Sequence, residues 1–376
     1  MTHRVWNLAI ASLILVGTLS GIYYMRNAVW PSATPVADFS APFVFGRFNI
    51  PKDNPLTEES FALGRRLFYD PILSGSNQVS CSTCHQQSLA FTDGLAKRVG
   101  LRGQELNFNS MSLTNLLWGQ RRFFWDGRAT SLEQQALQPI QNPDEMNQNL
   151  AELIKELKAS RHYRRLFTRA YGGISEETIA KALATFMRML ISSDSKYDRY
   201  LRGELKLTPL EEHGRKLFMA HPDVKVSLRG ANCIDCHSQF LTSGFRDAFD
   251  GFSNNGLDPD AELPTGLKAV TRNPAHRGLF KVPTLRNIAV TAPYMHDGRF
   301  ATLQDVMNHY NNGIQASETL SPLISEANNT KGRGRGHLGL KLNDQEVEAV
   351  IAFLNTLTDQ KFLSNPKLSD PFKGEK

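Results

Sequence analysis

Two short stretches of the chain, residues 81–85 and 233–237, each read Cys-x-x-Cys-His. This is the attachment spacing of c-type haem: two thiols add to the vinyl groups on one edge of the porphyrin, and the following histidine ligates the iron. The chain has 4 cysteines, and these two motifs use all of them. The sequence therefore predicts two covalently bound haem c groups and no disulfide. The expected attachment residues are Cys81, Cys84, Cys233 and Cys236, with His85 and His237 as iron ligands.

A zinc site is the alternative interpretation of paired cysteines that are followed by histidine. It fits poorly, because a long segment separates Cys84 from Cys233 and because a histidine follows each pair directly. Haem attachment explains both features.

The N-terminal residues 1–30 differ from the rest of the chain. An apolar stretch, residues 8–24, follows Arg4, and Arg26 comes soon after it. This stretch is long for the core of a signal peptide and short for a membrane-spanning helix. We expect either a cleaved signal peptide or an uncleaved membrane anchor. In both cases the protein is exported to the periplasm, soluble or tethered to the inner membrane, because c-type haem is attached outside the cytoplasm.

The charge balance is modestly basic, with a formal net charge of +6. Lysines and arginines are scattered and form no run of the kind that binds nucleic acid. Nucleic acid is therefore not an expected partner, and the basic balance is weak support for an acidic protein partner.

A helical segment precedes each haem motif, so the chain contains an internal repeat. Thr57 and Thr208 are expected N-caps followed by acidic residues. Gly64 and Gly214 each stand one turn before a Leu-Phe pair, which predicts a closely packed apolar face. The repeat divides the chain into a first haem domain at 56–203 and a second at 204–360, after a Pro-rich linker at 31–55 and before a tail at 361–376.

The remaining pattern is mainly helical. Ser175 caps an amphipathic run, and Asn343 with Glu346 forms a capping box before another. Long alternation of apolar and polar residues is absent, and residues 252–265 and 317–337 have the composition of surface loops. The predicted fold class is mainly α, with two haem domains and long irregular loops.

Three further motifs give the chain a family resemblance. They are residues 124–128 (Phe-Trp-Asp-Gly-Arg), 282–287 (Val-Pro-Thr-Leu-Arg-Asn) and 293–298 (Pro-Tyr-Met-His-Asp-Gly). With the two haem motifs, they make residues 56–360 resemble the bacterial di-haem cytochrome c peroxidases and their MauG-type relatives. The resemblance implies a fold of two cytochrome-c-like haem domains with unequal haems. The first reacts with hydrogen peroxide, the second admits electrons or stores charge, and a calcium ion and a Trp lie between them.

The resemblance also assigns roles to individual residues. Trp125 becomes the bridge between the haems, and Gln135, Pro139 and Glu145 match the peroxide pocket. Glu145 suits proton transfer during O–O cleavage, because a carboxylate in a partly dry pocket has a raised pKa. The expected calcium ligands are Asn109 and the backbone carbonyls of Thr291 and Pro293.

The sixth ligand of each haem is where this chain departs from the typical peroxidases. Many of them use a distal histidine on the first haem, but Leu101 stands at that position and no histidine occurs between His85 and His162. We therefore expect an open first haem that needs no reductive activation. On the second haem, Tyr310 replaces the usual methionine, as in MauG-type proteins. Met307 and His309, on the same predicted helix over 303–310, are the alternatives.

The two main functional hypotheses differ in the source of electrons. A peroxidase takes them from a small donor protein, such as a cytochrome c or a cupredoxin. A MauG-like enzyme takes them from residues of a partner protein substrate. Ala231 stands where MauG has a surface-directed Trp, which weighs against the second hypothesis, although Tyr200 or Trp118 offers another route. A di-haem electron carrier is a third hypothesis, but an open first haem argues against it.

Overall fold

The computed structural model describes residues 34–36, 42, 45–118, 121–240, 251–330 and 337–373. The apolar segment at 8–24, expected to be a signal peptide or anchor, lies outside these residues. Within the part of the chain described, no helix is long and apolar enough to cross a membrane.

The described chain is mainly helical, as predicted. A single antiparallel pair of two-residue strands, β1 (Phe252–Ser253) and β2 (Phe280–Lys281), is the sheet structure it contains. The α-helices in chain order are α1 (Glu58–Tyr69), α2 (Cys81–Cys84), α3 (Leu132–Gln141), α4 (Leu150–Ala159), α5 (Arg161–Tyr171), α6 (Glu176–Arg188), α7 (Lys196–Leu201), α8 (Pro209–Met219), α9 (Cys233–Cys236), α10 (Lys268–Thr271), α11 (Leu303–Asn308), α12 (Pro322–Glu326), α13 (Asp344–Asn355) and α14 (Gln360–Ser364).

The predicted helix starts are confirmed. Thr57 accepts a hydrogen bond from Ser60 N at the start of α1, and Thr208 accepts one from Glu211 N at the start of α8. Ser175 caps α6, and Asn343 forms a reciprocal capping box with Glu346 at the start of α13. Each cap satisfies backbone N–H groups that the first helical turn leaves without partners.

The two haem-preceding helices pack in the same way. A Cβ atom at Gly64 in α1 would overlap the carbonyl oxygen of Ala182 in α6, and one at Gly214 in α8 would overlap that of Ala349 in α13. Only glycine permits so close an approach of two helix backbones. Each half of the molecule is therefore built on one tightly crossed helix pair.

Two hydrophobic cores follow from these helix pairs. The first contains Leu63, Leu67 and Phe186, and the second contains Leu217 and Phe353. Segments from outside each predicted domain contribute to them, because Phe362 and Leu368 pack in the first core and Tyr197 packs in the second. The domain boundaries themselves stay a prediction.

A second duplication lies in the turns before α3 and α11. Phe123 pairs with Ala129, and Tyr294 pairs with Phe300, each as an isolated antiparallel bridge. Both turns read x-Asp-Gly-Arg, and both glycines have positive φ, +75° at Gly127 and +70° at Gly298. A Ser or Thr N-cap then starts the next helix in each half. This places Trp125 and His296 at equivalent positions.

Candidate functional site

The backbone orients His85 for metal binding. Its Nδ1 lies 2.7 Å from the carbonyl oxygen of Phe91. A carbonyl only accepts, so Nδ1 carries the proton and Nε2 keeps its lone pair. Burial lowers the pKa of the ring, which keeps the imidazole neutral. The histidine is thus held in the tautomer that ligates iron through Nε2.

His237 in the second half has the same arrangement. Its Nδ1–H donates to the carbonyl oxygen of Pro283 at 3.1 Å, and burial lowers its pKa to about 4. Pro283 belongs to the Val-Pro-Thr-Leu-Arg-Asn motif, so one contribution of that motif is to orient the second histidine.

The cysteines fit covalent attachment. None of the four forms a disulfide, and each pair lines a cavity together with its own histidine. Burial raises the pKa of Cys81 to about 12 and that of Cys84 to about 11. A thioether bond removes the ionisable proton, so it suits an apolar setting that disfavours a thiolate. The residues present therefore fit two haem c groups.

Gln135, Pro139 and Glu145 meet on the wall of the first haem cavity. All three line the cavity that also contains Cys84 and His85. Burial raises the pKa of Glu145, while its Oε1 accepts a hydrogen bond from Asn142 Nδ2 at 2.6 Å. Oε1 of Gln135 is buried and has no hydrogen-bond partner among the described residues. The wall thus presents a protonatable carboxylate and a free acceptor to the cavity.

Leu101 lies in a loop that is hydrogen-bonded to Asp144, the residue before Glu145. Its backbone N donates to the carbonyl oxygen of Asp144 at 2.9 Å. The Asp144 carboxylate also accepts from Arg102 Nε at 2.6 Å and Nη2 at 2.9 Å. Leu101 lines the first cavity, and His85 is the only described histidine that does so.

Tyr310 and Met307 both line the second haem cavity, which His237 also lines. The predicted helix over 303–310 is corrected in one respect. The α-helix ends at Asn308, and Tyr310 lies in a π-helical turn, His309–Gly313. Because this turn is wider than an α-helical turn, Tyr310 and Met307 are not related by the angular spacing of an α-helix.

Hydrogen bonds distinguish the three candidate ligands on this segment. Asn255 Nδ2 donates to the hydroxyl of Tyr310 at 3.2 Å, and burial raises the pKa of Tyr310 to about 12. His309 Nε2 donates to the carbonyl oxygen of Asn255 at 3.0 Å and does not line the cavity. Met307 is packed in the second core and is 3% exposed.

Trp125 lies between the two cavities. It is 8% exposed and lines both the second haem cavity and the larger cavity that contains His85. Its Nε1–H donates to the carbonyl oxygen of Asn109 at 2.9 Å, and its own carbonyl accepts from Lys281 N at 2.9 Å. These bonds fix Trp125 at the boundary between the two cavities.

The expected calcium residues lie around the same inter-cavity space. Asn109, Thr291 and Pro293 all line it. The Asn109 side-chain amide donates to Leu95 O at 2.7 Å, which leaves its Oδ1 as the oxygen suited to a hard cation. Among the described residues, no group of three or more His, Cys, Asp or Glu is arranged to hold a metal.

Known proteins share both the sequence and the fold. The pattern of the family described as "Di-haem cytochrome c peroxidase" matches residues 58–206. The methylamine utilization protein MauG of Methylorubrum extorquens is 38% identical over 311 residues, which are 82% of this chain and 80% of that protein. The cytochrome c551 peroxidase of Nitrosomonas europaea is 33% identical over 310 residues, 81% of each protein. The chain belongs to the di-haem cytochrome c peroxidase family.

Solved structures agree with this membership. A MauG-like protein associated with microbial copper homeostasis superposes with a TM-score of 0.77 at 35% identity, over 90% of this chain and 100% of that one. The di-haem peroxidase BthA of Burkholderia thailandensis superposes with a TM-score of 0.65 at 24% identity, over 84% and 90%, and supports the fold alone.

Membership in the di-haem peroxidase family confirms the predicted resemblance. The chain is an oxidoreductase of the peroxidase type with two haem c groups. Relatives carry both the peroxidase and the MauG names, so the two main functional hypotheses are both compatible with membership.

Two residues of this di-haem peroxidase site escaped the sequence reasoning. Asn255 contacts Tyr310 from a loop far away in sequence, and no motif marks it. Lys281 is 3% exposed and lines both cavities. A lysine inside the apolar run Leu279–Leu285 was a signal that pointed to it.

Proposed function

We propose that the chain reduces hydrogen peroxide to water at the first haem, with electrons relayed through the second haem from a small redox protein. The observation that carries this proposal is the unequal lining of the two cavities. The wall of the first holds Glu145 and Gln135, and its described lining offers no second histidine. The second holds Tyr310 and Met307, both of which are able to ligate iron.

His85 and His237 would hold the two irons, and the four cysteines would hold the porphyrins. Bound haem supplies an iron centre for peroxide reduction and for electron storage. Glu145 accepts a proton from the inner oxygen of peroxide and returns it to the outer oxygen, which then leaves as water. The free Oε1 of Gln135 accepts a hydrogen bond in the same cavity and positions the reacting molecule or a water.

Three further assignments belong to this proposal. Tyr310 ligates the second iron, with Met307 as the alternative. Its hard phenolate oxygen favours oxidised iron, whereas a thioether favours reduced iron. Trp125 carries electrons between the sites. A calcium ion is held by Asn109 Oδ1 and the backbone carbonyls of Thr291 and Pro293. The protein acts in the periplasm.

A specific aromatic path favours a second candidate, MauG-like oxidation of a partner protein. Phe218 lines the second cavity and contacts Phe240, with ring centroids 5.3 Å apart. Phe240 contacts Tyr197 at 5.0 Å, and Tyr197 stacks on half-exposed Tyr200 at 5.9 Å. Buried Tyr197 and half-exposed Tyr200 thus lead from the second core to the surface and provide a route for oxidising equivalents. Ala231, which lines the cavity wall, provides none.

Rapid mixing of the fully oxidised protein with hydrogen peroxide tests the proposal. We expect an immediate change in the haem spectrum, followed by rapid oxidation of added reduced cytochrome c. A spectrum that responds only after one haem has been reduced would contradict an open first haem. A long-lived oxidised state that does not react with cytochrome c would favour the second candidate, and slower decay of that state in Tyr200→Phe would assign the aromatic path.

A further inference from the structure

Lys281 is a buried cation at the wall between the two haem cavities. It ends β2, and its backbone N–H donates to the carbonyl oxygen of Trp125 at 2.9 Å. The residue is 3% exposed, so the side chain does not reach solvent as lysines ordinarily do. Its position is therefore tied to the bridging Trp and separated from water.

The ammonium group of Lys281 is incompletely paired. Nζ donates one hydrogen bond, to the carbonyl oxygen of Arg122 at 2.9 Å, and lies 5.8 Å and 5.6 Å from the ring centroids of Phe123 and Phe252. No carboxylate of the described residues forms an ion pair with it. An ammonium has three donors, and burial of an unpaired charge is costly. That cost lowers the pKa of Lys281 to about 7.

The residues that line the cavities indicate where an anionic partner of Lys281 would lie. Lys281 lines both the second haem cavity and the space that contains His85. Among the described residues, it is the only lysine or arginine that lines the second cavity. The first-haem side also has Arg98 and Arg128 on its walls. Each haem carries two propionate carboxylates, and a buried carboxylate needs a cationic or hydrogen-bonding partner.

We propose that the ammonium group of Lys281 pairs with a propionate carboxylate of the second haem. The pair satisfies the donors that Arg122 leaves open and neutralises a carboxylate for which the described lining of the cavity offers no other lysine or arginine. The positive charge beside the second haem favours its reduced form and raises its reduction potential. It also makes removal of an electron from neighbouring Trp125 harder. This inference rests on the two haems of the family and is independent of the direction of electron flow.

Three substitutions separate charge from hydrogen bonding. Lys281→Met removes both, Lys281→Gln removes the charge and keeps a donor for Arg122 O, and Lys281→Arg keeps the charge. The measurement is a spectroelectrochemical titration of both haems in the full-length holoprotein at pH 8.5, with haem content as the check on folding. At this pH an unpaired Lys281 would already be mostly neutral, so a charge effect reports the ion pair.

We expect Lys281→Met and Lys281→Gln to shift the reduction equilibrium of the second haem about tenfold towards the oxidised form, which is about 59 mV for one electron. Lys281→Arg stays close to wild type, and the first haem moves less. Unchanged potentials in Lys281→Gln would overturn the proposal, whether or not Lys281→Met changes, because a role through Arg122 O alone would survive that substitution. Should Lys281→Met not take up haem, the comparison of Lys281→Gln with wild type carries the test.

Discussion

Trp125 and His296 stand at the same point of the two duplicated turns, yet they have different surroundings. The Trp125 indole donates to Asn109 O and borders both cavities. His296 stacks on Phe280 with ring centroids 3.6 Å apart and an interplanar angle of 9°, and burial lowers its pKa to about 4. One turn therefore holds a redox-capable ring between the two cavities, and the other holds a neutral packing ring. The duplication preserved the scaffold, and its chemistry diverged in single side chains.

The helices that follow these turns diverge in the same manner. Counted from its N-cap, α3 has Pro139 where the second half has Tyr310. The Pro139 side chain has no atom that could ligate iron. The ionisable group of the first cavity is instead Glu145, which follows α3 in the chain. Tyr310 offers a phenol, held by Asn255 in a π-helical turn. Under the proposed assignment, this one exchange between the duplicated helices separates an open first haem from a second haem that Tyr310 closes.

Glu145→Gln has the largest expected effect on this comparison. We expect peroxide turnover to fall by a factor on the order of 10³, because general acid–base groups contribute roughly 10²–10⁴. The second haem keeps its spectrum and potential, since the change is confined to the first cavity. Steady-state peroxide turnover with reduced cytochrome c measures the effect, and Glu152→Gln on exposed α4 is the control. Near-normal turnover would remove Glu145 from the proposed mechanism.

The close crossings of α1 with α6 and of α8 with α13 predict that the two halves of the molecule respond alike to substitution of glycine. We expect Gly64→Ala and Gly214→Ala each to lower the free energy of unfolding by about 3 kcal/mol, because the added methyl overlaps a backbone carbonyl. Denaturant unfolding of the holoproteins measures both. Gly173→Ala, where a Cβ meets nothing within 4 Å, is the matched control. A large effect in one half alone would contradict equivalent packing.

Sequence reasoning reached the features that depend on local pattern. The haem motifs, the N-caps and the close glycine contacts all arise from residues near one another in the chain. It did not reach Lys281, Asn255 or the carbonyl of Pro283, because their importance comes from contacts between residues that are far apart in the sequence. The π-helical turn at 309–313 was missed for a related reason. Its sequence reads as a helix end, and its partners, such as Leu340 N, come from another segment.

Tyr310→Phe and Met307→Leu distinguish the two candidate ligands of the second haem iron. If Tyr310 is the ligand, Tyr310→Phe changes the low-spin spectrum of the second haem and raises its potential, because an anionic oxygen no longer stabilises oxidised iron. Met307→Leu, a volume-conserving change, leaves the spectrum as it was. Electron paramagnetic resonance of the oxidised protein measures both. The reverse pattern would assign Met307, and the π-helical turn would then have to rotate on haem binding.

The smallest expected effect is on the pH dependence of the first haem site. Burial raises the pKa of Glu145 above its usual value of 4.5, and the hydrogen bond from Asn142 partly offsets that shift. Glu145 accepts a proton only when ionised, so turnover falls as pH drops through this raised pKa.

Asn142→Ala removes the bond, and we expect the acidic limb of turnover to move up by about one pH unit, since a hydrogen bond to a charged group contributes about 1.5 kcal/mol. Gln141→Ala, on the exposed neighbour, should leave the limb unchanged. If the acidic limb does not move in Asn142→Ala, a group other than Glu145 sets it. Glu145 would then no longer be the titrating residue that distinguishes the first cavity from the second.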